Sequence, residues 1–377
     1  MAASDFPRMS WSSGEHMRNR FHALCPYFAM FPEAFAEKWI TRLTEPGDLV
    51  LDPFCGRGTA PFQALLMGRR AIGNDINPLA FCLTRAKLGA PRKASVLRRI
   101  AGLERGFVER SWESRRRDLP PFFQVAFSRR TLRQLLYLRE TLDWRGSRVD
   151  AMVASLTLGS LHGESQRYDS YLSNQMPRTI STKPDYSLRF WERHGYTAPE
   201  RDAFALLRER ASYRYESDVP RGEAHVLNLD MRELSRARLP SPVKCVVTSP
   251  PYLNVTDYGE DQWLRLWFLG GAAQPVRGSS RDDRHRSADS YWRLIADMWR
   301  MLSMVLAPGG SVVVRLGGKG LEPEQLVAAL TGTALVAPRR VRMVEYSTSA
   351  IQRRQTDAFR PGTIGCRHEI DAVFSIA

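Results

Sequence analysis

Cysteine is scarce and scattered. The 377-residue chain holds five, Cys25, Cys55, Cys82, Cys245 and Cys366, and no C-x-x-C pair. That excludes a disulfide framework and a thiolate zinc site, and suits a reducing cytoplasm; no metal is expected. Long apolar runs are missing too. None reaches the roughly 20 residues of a membrane span, and the N-terminus lacks the apolar stretch of a signal peptide, so no membrane partner is expected. The first glycine-rich turn contains neither G-x-G-x-x-G nor Gly-Lys-Ser/Thr, so neither NAD nor ATP is expected there. Negative charge is short: 40 Asp+Glu stand against 55 Lys+Arg, a net of +15. A chain this basic attracts polyanions, nucleic acid first among them. Between Arg85 and Arg221 there are 27 basic and 16 acidic residues, a net of +11, so most of the excess sits in the middle of the chain. A hydrophobic fraction of 43% is that of a globular protein.

The apolar run Asp48-Leu49-Val50-Leu51-Asp52 reads as a buried strand ending in a carboxylate. A glycine turn follows, then a helix over Thr59–Met67, then a second strand, Ala71-Ile72-Gly73-Asn74-Asp75. Asn77-Pro78 opens another helix. Strand, turn, helix, strand, helix is the opening of a doubly wound α/β sheet. The pattern stops near Leu88. About 130 arginine-rich residues of helical periodicity follow, with Leu132, Leu135, Leu136 and Leu142 on one face and Phe204, Leu207 and Ala211 on another. It resumes with strands over His225–Asp230 and Val243–Thr248, helices near Glu260–Leu269 and Asp289–Leu306, a turn at Pro308-Gly309-Gly310, and strands at Ser311–Leu316, Val341–Tyr346 and Glu369–Phe374. The reading is one sheet domain in two parts, residues 1–88 and 222–377, with residues 89–221 as a basic, mainly helical insertion.

Two segments carry chemistry. In Asp52-Pro53-Phe54-Cys55-Gly56-Arg57-Gly58-Thr59, glycines after a strand let the backbone approach a ligand closely. Asp75, at the end of the second strand, can accept two ribose hydroxyls, and Asp230 ends the third. The other segment is Thr248-Ser249-Pro250-Pro251-Tyr252. An exocyclic amino group on a base is a poor nucleophile, because its lone pair is delocalised into the ring. Acceptors that hold its hydrogens draw the nitrogen towards tetrahedral geometry. Ser249 offers its Oγ and Pro250 its carbonyl. Pro250 and Pro251 stiffen the loop, and Tyr252 can stack on a base. His162 and His194 read as structural histidines. No Pro-Cys pair stands at this loop, so a cysteine nucleophile is not expected.

Together the two segments resemble the S-adenosylmethionine-dependent DNA amino-methyltransferases, which methylate N4 of cytosine or N6 of adenine. The resemblance covers roughly residues 20–88 and 222–320 and implies a Rossmann-like methyltransferase sheet with helices on both faces. It places Asp52 near the methionine amino group, with Pro53, Phe54, Gly56, Gly58 and Thr59 around the pocket, Asp75 and Ile76 at the ribose, and Asp230 and Met231 at the adenine. Pro26-Tyr27-Phe28-Ala29-Met30-Phe31-Pro32 resembles the family's aromatic-proline segment, which brings Tyr27 and Phe31 beside the methionine end. Serine at position 249 is commonest among the cytosine-N4 enzymes of the family, so N4 of cytosine is the favoured target. Adenine N6 and an RNA base amino group are the alternatives; a catalytically silent nucleic-acid-binding subunit is a further one. A duplex base must be flipped out to be reached. In the insertion, Gln166, Tyr168, Tyr171, Asn174, Gln175, Arg178 and Lys183 are candidates for nucleic-acid contact, against the alternative of a solvated loop. The insertion falls earlier than the recognition domain of cofactor-first relatives. DNA is the expected partner, with a restriction nuclease or a defence complex as a candidate second one.

Overall fold

A computed structural model describes residues 18–27, 30–163, 171–174, 183–253, 258–276, 284–285, 287–351 and 366–377. Its centre is a seven-stranded sheet. The strands are β1 (Leu49–Asp52), β2 (Arg70–Asn74), β3 (Ala224–Leu227), β4 (Val243–Thr248), β5 (Leu306–Gly317), β6 (Val341–Ala350) and β7 (His368–Ile376). They lie in the order β3-β2-β1-β4-β5-β7-β6. The first five strands pair parallel, and β7 runs antiparallel to both β5 and β6. This is the doubly wound α/β architecture expected. The chain winds outwards from β1 in both directions, so the carboxyl ends of β1 and β4 border the switch point where such sheets bind ligands.

Side-chain alternation along the strands separates two apolar layers. Val50, Ala71, Cys245, Val247 and Val313 join one; Leu49, Leu51, Ile72, Val246, Val312 and Val314 join the other. The second layer is covered by the helices Ala288–Val305 and Pro323–Ala334. The first takes Glu33–Leu43, Thr59–Leu66 and Pro78–Leu88, together with the helices of the 89–221 segment: Lys93–Gly106, Arg129–Thr141, Arg148–Ser160 and Ala203–Arg214 among them. That segment therefore shares an apolar core with the sheet. Thr59 opens its helix behind the left-handed Gly58, and Asn77 caps the next one through its side chain, with Pro78 in the first turn, as residue type predicts.

Several boundaries differ from the sequence reading. β2 ends at Asn74, so Asp75 stands just beyond it. β3 ends at Leu227, three residues before Asp230, because Asp230 caps a short 3-10 turn by accepting from the Arg232 amide. The Pro308-Gly309-Gly310 turn is carried within β5 as a bulge. Leu306 pairs with Val243, the next paired residue is Ser311 opposite Cys245, and Gly309 takes φ +68°.

Candidate active site

The two loops expected to work together do meet. An open cleft is lined by Tyr27, Phe54, Gly56, Asp75, Ile76 and Asn77 from the first half of the chain, and by Ser249, Pro251, Arg284 and Leu294 from the second.

The glycine turn divides its labour. Phe54 and Gly56 face the cleft, while Pro53, Gly58 and Thr59 are buried supports. Gly56 has φ +49°, and a Cβ there would lie 3.2 Å from the Tyr27 ring. Gly58 has φ +73°, and a Cβ there would lie 2.6 Å from Thr84 Oγ1. The amides of Gly56 and Asn77 each donate to the Asp75 carboxylate at 2.9 Å. Carboxylate oxygens accept more than one bond each, so these contacts do not exclude ribose hydroxyls.

Asp52 lies behind the cleft wall, fully buried. Its Oδ1 accepts from Thr248 Oγ1 at 2.6 Å and from the Phe54 amide at 3.1 Å. Its Oδ2 is buried with no hydrogen bond. Burial pushes its carboxyl up to about 7, against the hydrogen bonds from Thr248 and Phe54. An orphaned carboxylate oxygen beside the glycine turn fits a cationic ligand group such as an ammonium.

Other expected residues are placed differently. Phe31 packs on Phe35 with ring centroids 4.9 Å apart and is not among the cleft residues; Phe28 and Ala29 lie outside the described residues. Asp230 is ion-paired to Arg232 at 2.9 Å and to Arg284 at 3.0 Å. Burial raises its pKa, but these arginines outweigh that and hold it below the usual carboxylate range. It reaches the cleft through Arg284 rather than lining it. Met231 is buried in the second apolar layer. Tyr252 does not line the cleft either: its ring packs on Gly317, where a Cβ would come within 2.8 Å, and its hydroxyl donates to Glu369 at 2.8 Å. Pro250 is buried beside it. Of the candidate nucleic-acid residues, Gln166, Tyr168, Gln175 and Arg178 lie outside the described residues. Tyr171 is buried against Gly163. Asn174 is buried and donates to the Tyr196 carbonyl at 3.2 Å. Lys183 is ion-paired to Glu260 at 2.7 Å.

Several site residues escaped the sequence reading. Asn74 donates to the carbonyls of Pro53 and Leu229, at 3.2 and 3.1 Å, and ties the glycine turn to the segment after β3. Asn228 does the same for the carbonyls of Asp75 and Ile76, at 2.8 and 3.0 Å. An asparagine closing an apolar strand is a readable signal for such a role. Arg284, Leu294 and Glu369 carried none, because only the fold brings them here.

Comparison with known proteins agrees with this geometry. The profile of the DNA methylase family matches residues 3–83, which include the glycine turn and Asp75. The type II methyltransferase M.MjaII of Methanocaldococcus jannaschii is 36% identical over 67 residues, 18% of this chain and 13% of that protein. The orphan methyltransferase M.BamHII of Bacillus amyloliquefaciens is 45% identical over 49 residues, 13% of this chain and 18% of that one. The DNA adenine methyltransferase YhdJ of Escherichia coli is 36% identical over 73 residues, 19% of this chain and 22% of that one. The chain thus spans less than a quarter of the length of each of these relatives. Among solved structures, TrmN from Thermus thermophilus superposes with a TM-score of 0.39 at 11% identity, over 96% of this chain and 52% of that one. Both loops thus face one cleft, and residues 3–83, which carry its glycine turn, are similar to the DNA methylase family.

Proposed function

We propose that the protein methylates an exocyclic amino nitrogen of a DNA base, N4 of cytosine in first place. The observation that carries the reading is the cleft itself. Ser249 and Pro251 face Phe54, Gly56 and Asp75 across one space, so a reacting amino group and a cofactor would be held side by side.

S-adenosylmethionine, when bound, supplies an electrophilic methyl group. Tyr27, Phe54 and Ile76 offer its apolar surfaces, Asp75 its ribose acceptor, and the bare Oδ2 of Asp52 a partner for its ammonium. Ser249 Oγ and the Pro250 carbonyl accept the amino hydrogens, which readies the nitrogen lone pair for direct in-line attack. No covalent enzyme intermediate is involved, and no strong general base is needed for the attack. No group of three or more His, Cys, Asp or Glu among the described residues could hold a metal ion, and no helix among them is long and apolar enough to cross a membrane.

Cytosine is favoured by Ser249 at the head of the catalytic motif. Adenine N6 stands second, since one similar protein is by name a DNA adenine methyltransferase. A restriction–modification or phage-defence role fits the type II methyltransferases among the similar proteins. The test is expression in a host without other DNA methylation, followed by mass spectrometry of its nucleosides. N4-methylcytosine is the expected mark. N6-methyladenine would change the base and keep the mechanism, and a mark confined to RNA would overturn the DNA assignment. Ser249→Ala should lose most turnover while keeping cofactor affinity, and Asp75→Ala should weaken cofactor binding first.

A further inference from the structure

The helix Pro184–His194 turns one side to the core and an aromatic side to solvent. Ser187 and Trp191, four residues apart, are its buried residues. Trp191 packs on Phe122 with centroids 5.6 Å apart, and Phe122 on Trp263 at 5.1 Å. Lys183, just before the helix, is paired to Glu260 at 2.7 Å. Trp263 and Glu260 both belong to the chain that leaves the Ser-Pro-Pro-Tyr loop, so the helix is held beside that chain.

Tyr186, Phe190 and His194 also stand four apart and therefore form one row. The Tyr186 and Phe190 rings lie 6.3 Å apart and within 29° of parallel, and His194 lies 4.2 Å from Phe190. Behind the left-handed Gly195 the chain folds back, which brings Tyr196 to 6.0 Å from Phe190. The outer rings stay in water: Tyr186 is 56% exposed and Tyr196 48%. Arg189 and Arg193 run alongside the row, each three residues after one of its rings. Both are exposed and form no ion pair among the described residues. Asp185 and Glu192, seven apart, lie beyond the arginines and away from the rings. A solvated face accounts for the charges and not for adjacent exposed rings.

We propose that this side of the helix is a stacking surface for single-stranded DNA, with unpaired bases on Tyr186 and Tyr196 and the phosphates between them on Arg189 and Arg193. The choice of DNA as occupant rests on the function proposed above. A ring row bordered by cations matches a strand whose base faces are bare and whose backbone is anionic. Paired bases hide those faces in the stack, so duplex DNA meets only the arginines. An enzyme that must take its base out of a duplex, or find it unpaired, has such a strand to hold.

The test uses the full chain and a labelled oligothymidylate of about 20 nucleotides, read by fluorescence anisotropy beside a duplex of similar length. Tyr186→Ala combined with Tyr196→Ala should weaken single-strand binding on the order of 10-fold or more and leave duplex binding within about twofold. The same two positions changed to Phe should bind as the parent does, since the ring and not the hydroxyl stacks. Arg189→Ala with Arg193→Ala should flatten the salt dependence for the single strand by about 1.4 in log–log slope. Parent-like single-strand affinity in the alanine pair, an equal loss on duplex, or no recovery with phenylalanine would each overturn the surface. So would loss of self-association in the alanine pair with DNA binding unchanged, which would assign the rings to a second copy of the chain. Tighter binding of oligouridylate would overturn the choice of DNA. A parent that methylates no DNA, with the alanine pair still losing the single strand, would overturn the proposed function and leave the surface standing.

Discussion

At the end of β1 a carboxylate sealed from solvent has one oxygen hydrogen-bonded and the other bare. With the folded carboxyl of Asp52 at about 7 against 3.8 for an ordinary one, the folded state holds a proton between these values that the unfolded chain has released. Stability therefore falls as pH rises through that window. Asp52→Asn keeps an acceptor for Thr248 and Phe54 and removes the ionisation. It should be more stable than the parent at pH 8 by about 2 kcal/mol, allowing for relaxation of the site, and gain nothing near pH 4, as urea melts at the two pH values would show. If the ammonium of the cofactor meets Oδ2, its charge lowers that pKa and binding at pH 6 expels a proton. Calorimetry in buffers of different ionisation enthalpy should detect the release in the parent and not in Asp52→Asn. Lys87 poses the opposite case. It is fully buried with its Nζ unbonded, and burial holds its pKa well below the ordinary value of 10.5. Below that ordinary value the unfolded chain binds a proton that the folded one gives up, so the parent gains stability as pH rises towards it. Lys87→Met should stabilise at pH 7 by about 1–3 kcal/mol, the cost of a buried unpaired polar group. The advantage should shrink by pH 10 in the same melts.

Where β1 hands over to its helix, backbone conformation and packing both demand glycine. Gly58 is left-handed, and a Cβ there would press on both Thr84 Oγ1 and Cγ2, at 2.6 and 2.8 Å. Gly58→Ala should cost about 2 kcal/mol or more, from the left-handed conformation and the overpacking together. Adding Thr84→Ala should restore only part of it, since Thr84 Cβ remains at 3.1 Å and the conformation is unchanged. Chemical denaturation of both single variants and the double would give the coupling directly; full additivity would show that the Thr84 contact is relieved elsewhere. At this scale much was legible beforehand. β4 spans Val243–Thr248 as read, because a short apolar run between turn residues has few other fates in an α/β chain. The cleft-facing Phe54, Gly56, Asp75 and Ser249 were named from their motifs. What sequence could not supply was orientation. Tyr252 sits in a motif that suggests a stacking face, yet a glycine some 65 residues later in the chain opens a slot for its ring, and a carboxylate on β7 holds its hydroxyl. Tyr171 and Asn174 looked like loop residues by polarity and are buried, because partners on other elements satisfy them.

Across the whole molecule, positive charge is not spread evenly in its availability. Glu113 alone gathers Arg116, Arg117, Arg129 and Arg133, so much of that cluster is neutralised within the protein. The helix Lys93–Gly106 is different. Its Lys93, Arg98 and Arg105 are exposed and form no ion pair among the described residues. Arg98 and Arg105 stand seven positions apart and share a helix face. A solvated face is the ordinary fate of such a row, and a phosphate-tracking face is the alternative; salt distinguishes them. Each phosphate a protein neutralises releases condensed counterions, and affinity for duplex DNA falls with log salt with a slope of about −0.9 per contact. If this helix tracks the backbone, Arg98→Ala combined with Arg105→Ala should flatten the slope by about 2 and weaken binding to every sequence alike. Melting temperature should stay close to the parent's, because neither side chain belongs to the shared core. An unchanged slope would assign these charges to solvent and move the search for the backbone-gripping surface to the arginines nearer the cleft, beginning with Arg284, which already lines it.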